Sequence, residues 1–180
     1  MHPKESAEFF LNEKPDFYTP LWISITLIFV LSLSSTLYPI IGDQPATDPT
    51  GMAPIIETES KLHKVVTAGT TILTLMGVVP LSFYCLLSNA GSSISFAETL
   101  SIYGYSFIYF IPAALLCTIP NELLRWIALL AAMGCSLALL SRNYWGEVKV
   151  FEGYKKYAVF ALSLGGHFIF VIISRLYVYG

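Results

Sequence analysis

The stretch TLSIYGYSFIYFIPAALLCTIPN, residues 99–121, runs twenty-three residues without a charged side chain. A helix rises about 1.5 Å per residue and the hydrocarbon core of a bilayer is about 30 Å thick, so roughly 20 apolar residues suffice to cross it. Four other stretches have the same character: 21–41, 65–87, 126–141 and 157–177, the last carrying Arg175 close to its end. Five such runs in 180 residues leave little chain for a soluble domain. The pattern predicts an all-α polytopic membrane protein, a bundle of five transmembrane helices over 21–180 preceded by a short N-terminal arm, 1–20.

Composition agrees. The chain is 55% hydrophobic and 12% charged, with mean hydropathy +0.65; an ordinary globular domain is about 25% charged. A net charge of −2 gives no reason to expect a nucleic-acid partner. Cys85, Cys117 and Cys135 lie far apart within or beside the apolar runs and read as buried free thiols, not as a disulfide or a metal set. The first run lacks a small-residue cleavage site and reads as an uncleaved span.

Between the spans, Pro45, Pro49, Gly51 and Pro54 predict a long loop over 42–64 without regular structure. Pro80 and Pro112 each remove a helical hydrogen bond and are expected to kink spans two and three. A polar turn covers 88–97, and Pro120-Asn121-Glu122 makes a tight turn into span four. The segment 142–156 reads as a second polar connection, mixing Arg142, Lys149, Lys155 and Lys156 with Tyr144 and Trp145. That mixture suits anionic headgroups or an acidic protein face, and equally an aromatic belt with positive-inside charges. The arm 1–20 reads either as a brief interfacial helix around Phe9-Phe10-Leu11 or as a partly disordered terminus. With the N-terminus in the cytosol, six Lys and Arg fall on the cytosolic side and four on the other, a bias that favours a cytosolic N-terminus and lumenal C-terminus.

Small residues repeat every four positions at Ala128, Ala132 and Ser136, and Ala161, Gly165 and Gly166 form a shorter set in span five. Such ridges let backbones approach closely, within one bundle or at an oligomer face. His167 is an ionisable group at membrane depth. It is a functional-site candidate by default, the alternative being a neutral imidazole hydrogen-bonded to a neighbouring helix. No phosphate-binding loop, no cluster with metal-ligand spacing and no pair of intramembrane aspartates occurs, so no enzymatic activity and no cofactor is expected.

The residues Tyr103-Gly104-Tyr105-Ser106, Ile111-Pro112, Ile119-Pro120 and Arg125-Trp126, with Asp16-Phe17-Tyr18-Thr19-Pro20 ahead of span one, resemble the Yip family of Golgi and endoplasmic-reticulum membrane proteins. Lys64-Val65, Ala68 and Thr70-Thr71-Ile72 resemble the opening of the second span in one branch of that family. The entry motif there is Asp-Leu-Tyr-Gly-Pro; Asp16, Tyr18 and Pro20 match it, and Phe17 and Thr19 depart from it. The resemblance implies a five-span bundle acting in vesicle traffic, with prenylated Rab-type GTPases and other Yip family members as partners. The surfaces offered would include Asp16, Tyr18 and Pro20 on the arm and Arg142, Tyr144, Trp145, Lys149, Lys155 and Lys156 after span four. The other readings are an accessory subunit of a larger membrane complex and a transporter or lipid-handling protein.

Overall fold

In the computed structural model the described residues are 17–41, 53–89, 91, 94–148 and 155–178, and among them every regular element is helical. Helix α1 (Tyr18–Ile41) begins with Pro20 in its first turn, where a missing amide hydrogen removes no helical bond. Helix α2 (Ala53–Asn89) is 37 residues long and runs through Pro80. At about 1.5 Å per residue it exceeds the bilayer core. Its start corrects the expectation of an irregular loop to residue 64. Pro54 sits in the first turn, where proline is compatible with helix, and residues 55–64 hold no further proline or glycine to stop it.

The chain turns at Gly91, whose φ of 84° lies in the left-handed region. Helix α3 (Phe96–Ser106) then opens on a capping box: Ser95 Oγ accepts from the Glu98 amide and the Glu98 carboxylate accepts from the Ser95 amide. The third apolar run is not one helix. After α3 comes a 3₁₀ turn, Phe107–Tyr109, and then α4 (Phe110–Leu116). Pro112 explains the break, because it has no hydrogen for the carbonyl four residues back and its ring crowds that carbonyl. The distortion therefore falls ahead of Pro112, around residue 108.

Asn121 caps helix α5 (Glu122–Val148), its side-chain oxygen accepting from the Leu124 amide at 3.1 Å. The helix continues well past the expected end at Ser141, because no proline interrupts 142–148 and Tyr144 is held inside the bundle. Helix α6 (Lys155–Ile173) ends in a π-helical turn, Ser174–Val178.

Contacts fix how the helices run. Ser34 Oγ on α1 donates to the Ala114 carbonyl (2.5 Å) and pairs with Thr118 Oγ1 (2.9 Å), so the late part of α1 meets the end of α4. The Tyr144 hydroxyl donates to the Thr99 carbonyl at 3.1 Å, joining the end of α5 to the start of α3. Glu122 at the start of α5 meets Arg175 after α6. Neighbours α3–α4 and α5, and α5 and α6, are therefore antiparallel.

Four segments are long and apolar enough to cross a membrane: Tyr18–Leu37, Leu62–Asn89, Phe96–Leu116 and Glu122–Trp145; Ala161–Leu176 is a shorter apolar helix. The broken segment sits at the centre, 56% buried against 33–39% for the other three. Leu27, Leu31, Ile72, Phe83, Phe107 and Phe110 are among the side chains that fill the core. Large apolar residues also cover the outside of every long helix, among them Phe29, Leu73, Ile127 and Phe168, each at least half exposed. Water would not tolerate such a coat, and lipid requires it. The architecture is that of a polytopic helical membrane protein.

Small residues set the closest approaches. A Cβ added to Gly104 would lie 2.4 Å from Pro20 Cβ and 3.0 Å from Met76 Cε. Ala128, Ala132 and Ser136 are buried, so the ridge on α5 serves packing within the bundle. Cys117 is buried as expected, whereas Cys85 and Cys135 lie on the exposed, apolar surface; none of the three is in a disulfide. Gly104→Ala is expected to lower stability by about 1–3 kcal/mol through overpacking, read as a drop in thermal midpoint in detergent. Combining it with Pro20→Gly should recover part of the loss, and a Gly104→Ala protein as stable as the parent would refute the contact.

Candidate functional site

A polar centre lies in the interior of the bundle, around His167. His167 on α6 is fully buried and faces the break between α3 and α4. Its Nδ1 lies 3.0 Å from the Ser163 carbonyl oxygen. A carbonyl can only accept, so Nδ1 carries the hydrogen, and in the neutral ring Nε2 is the acceptor. Ser136 Oγ on α5 stands 2.6 Å from Nε2 and donates to it. Ser106 Oγ, at the end of α3, is 3.2 Å from the same nitrogen, but its own hydrogen goes to the Tyr103 carbonyl at 2.6 Å. One imidazole thus joins α3, α5 and α6.

Aromatic rings enclose this centre. Phe107 and Phe110 lie nearly parallel to the imidazole, with centroids 5.8 Å and 5.9 Å away, and Tyr103 meets it edge-on at 5.4 Å. Phe170 closes the cluster against Phe107 and Phe110. Gly166, next to His167, is the notch that admits Tyr103: an added Cβ there would be 3.1 Å from the Tyr103 hydroxyl oxygen and 3.2 Å from Val79. The Tyr103 hydroxyl is buried with no hydrogen-bond partner among the described residues.

The motif of the third span now has a part-by-part meaning. Tyr103 packs on Gly166 and His167, Gly104 receives Pro20, and Ser106 faces His167. Tyr105 is half-buried beside the core. Pro112, exposed, follows the 3₁₀ turn, and Pro120, also exposed, precedes the cap of α5. The glycines at 104 and 166 and the prolines at 20 and 112 were visible in the sequence. Their pairings were not, because each joins positions far apart in the chain. Ser136 and Ser106 were the missed members of the centre; a serine inside an apolar run is the available signal.

A second cluster lies where α5 begins. Glu122 Oε1 accepts from Trp126 Nε1 at 3.2 Å and from Arg175 Nε at 3.1 Å, and Arg175 Nη2 makes a further close contact with it. Glu122 Oε2 is 3.5 Å from Arg125 Nη1. Arg125 is buried, whereas Glu122 is exposed. The Arg125-Trp126 pair therefore belongs to a clasp between α5 and the π-helical turn after α6.

The residues expected to meet partners are dispersed. Tyr18 is exposed beside Trp22, while Pro20 is buried against Gly104. Arg142 and Trp145 are exposed, but Tyr144 points inward, stacked on Phe83 at 5.2 Å. Asp16 and Lys149 lie outside the described residues, as do the side chains of Lys155 and Lys156.

Chemically, Ser136 and His167 have the spacing of a nucleophile and its base. No further part of such machinery is found beside them among the described residues. Both are fully buried, Ser136 lies mid-helix where neighbouring amides serve the α5 ladder, and the group orienting His167 is a carbonyl of its own helix. The pair acts as a cross-link between helices.

The Yip1 domain model matches residues 1–174. This chain belongs to the Yip1 domain family. It is also similar to the protein named YIPF1 homolog of Dictyostelium discoideum, 27% identical over 171 residues, which cover 93% of this chain and 46% of that protein. The chain thus spans less than half the length of that relative. No solved structure matches it.

Two outcomes follow from the site. Ser136→Ala removes the donor to Nε2 and should cost about 0.6–2 kcal/mol, the range for interhelical hydrogen bonds in membranes; unchanged reversible unfolding in bicelles would contradict the cross-link. Glu122→Gln should speed amide hydrogen exchange in 174–178 by releasing Arg175, and unchanged exchange there would contradict the clasp.

Proposed function

We propose that the chain is a non-enzymatic membrane trafficking factor of the Golgi and endoplasmic-reticulum system, working through Rab-type GTPases and other Yip family members. The observation that carries this reading is the family match over nearly the whole chain, joined to the way Pro20, Tyr103, Gly104 and Ser106 interlock. In this reading the chain crosses the bilayer five times, the apolar helix Ala161–Leu176 completing the set. The positive-inside bias supports a cytosolic N-terminus and a lumenal C-terminus. The start of α1, the turn near Gly91 and the end of α5 then share the cytosolic side. Exposed Tyr18, Arg142 and Trp145 mark the surface there, and the lysines at 149, 155 and 156 would extend it toward anionic headgroups or an acidic partner face.

The chemistry available fits docking. The polar centre is buried inside the bundle, and the exposed groups at the cytosolic end include the aromatic Tyr18 and Trp145 and the basic Arg142. Full-length protein in mild detergent, presented with a panel of prenylated Rab GTPases, is expected to retain at least one above an unrelated polytopic control. Arg142→Glu together with Trp145→Ala should weaken that retention without changing the thermal midpoint. Retention no better than the control across the panel would remove the Rab reading, and a tagged chain outside the Golgi and endoplasmic reticulum would remove the compartment.

A further inference from the structure

The surroundings of His167 serve two protonation states of the ring, and this goes beyond any docking role. In the neutral state Nε2 accepts from Ser136 at 2.6 Å. Ser106 contributes nothing as a donor there, because its hydrogen is on the Tyr103 carbonyl; it presents a lone pair to Nε2 at 3.2 Å. An acceptor facing an acceptor is a mismatch, and a proton on Nε2 would resolve it. Nε2–H would then donate to Ser106 Oγ, which keeps its own bond to Tyr103. Ser136 needs only a turn of its hydroxyl to accept as well. Nδ1–H stays on the Ser163 carbonyl throughout.

A positive ring would also be received by the aromatic faces. Phe107 and Phe110 lie within 22° and 26° of the imidazole plane, at centroid distances inside the range of cation–π attraction. No charged group among the described residues touches the ring: α3 presents Tyr103 and Ser106, the 3₁₀ turn Phe107, α4 Phe110, α5 Ser136 and α6 the Ser163 carbonyl. The phenol of Tyr103 is the one titratable neighbour among the described residues, and it meets the ring by its edge.

We propose that His167 is an intramembrane proton-binding site whose occupancy tightens the broken central helix against α5 and α6. The new bond would fall on Ser106, the last residue of α3 and the one immediately before the 3₁₀ turn. That position is where a single added hydrogen bond has most leverage over a discontinuous helix. The balance of the step is simple: one proton enters from solvent, the Ser136 hydroxyl reverses, and Nε2–H···Oγ forms to Ser106.

The test uses the full chain in lipid nanodiscs, with His2 and His63 replaced by Gln so that ¹⁵N-labelled His167 is the one imidazole observed. From about pH 8 to about pH 5, its nitrogen shifts should pass from the Nδ1–H neutral form to the doubly protonated ring. Phe107→Leu should move the midpoint down by roughly half a pH unit, through loss of one cation–π face. Over the same range, amide exchange of 106–111, corrected for intrinsic rates, should slow by roughly threefold, the equivalent of one membrane hydrogen bond. Ser106→Ala should abolish the slowing while the titration persists. A ring that stays in the neutral form to the acid limit overturns the site, and a titrating ring with unchanged exchange overturns its coupling to the helix. Both readouts are blind to Rab binding, so their failure is separable from failure of the docking proposal.

Discussion

Lipid offers no hydrogen bonds, so a polar group inside the slab depends on the chain for its partner. Most hydroxyls in the long helices do so locally. Ser24, Ser32, Thr36, Thr70 and Ser82 each donate to the carbonyl four residues back, at 2.7–2.9 Å. Those five residues carry no tertiary information; they are polar atoms returned to their own helix. Ser34, Ser136 and Tyr144 behave differently, each pairing across helices. Where two helices share a hydrogen bond in an apolar medium, their relative register is fixed. Three such bonds tie α1 to α4, α5 to α6 and α5 to α3, and Ser106 on α3 approaches His167 on α6 to 3.2 Å.

The same constraint explains where the chain is allowed to break. A 3₁₀ turn leaves helical carbonyls poorly served, and on a lipid-facing helix that would be costly. Here the irregular residues, Phe107–Tyr109, occur in the most buried of the four candidate spans, and beside the one interior imidazole. The prolines illustrate the rule by contrast. Pro20 and Pro54 lie in first turns, where no hydrogen bond is forfeited, whereas Pro112 interrupts a span and displaces the damage toward residue 108.

How much of this could be read from the sequence differs by the range of the interaction. Hydrophobic run length identified the four segments long and apolar enough to cross a membrane, and the position of Pro112 gave the interruption, because both depend on residues within a few positions of each other. Helix ends were harder. The apolar run stops near residue 141, yet α5 continues to Val148, since what holds its last turns is Tyr144 on Phe83 and Thr99, from α2 and α3. The long start of α2 departs from the sequence pattern for a local reason: Pro54 reads as a breaker, yet at a first turn it is compatible with helix. Of the candidate site, His167 stood out as an isolated ionisable residue. Its partners did not, because a serine facing inward and a serine bonded to its own helix look identical in one sequence.

The separation of the two polar regions bears on how function and folding divide. The His167 centre is buried within the bundle, and the Glu122 clasp lies toward the opposite end from Arg142 and Trp145. A substitution at the exposed end of α5 therefore leaves both in place. With Tyr144 turned inward, the described part of that end is reduced to two exposed side chains, one basic and one aromatic, on adjacent turns of a helix that is anchored by its third. An anchored helix end loses little conformational entropy when a partner closes on it, so a small surface there can bind more tightly than its area suggests. Tyr144 thus contributes to any docking at this end through rigidity, by fixing the platform from which Arg142 and Trp145 project.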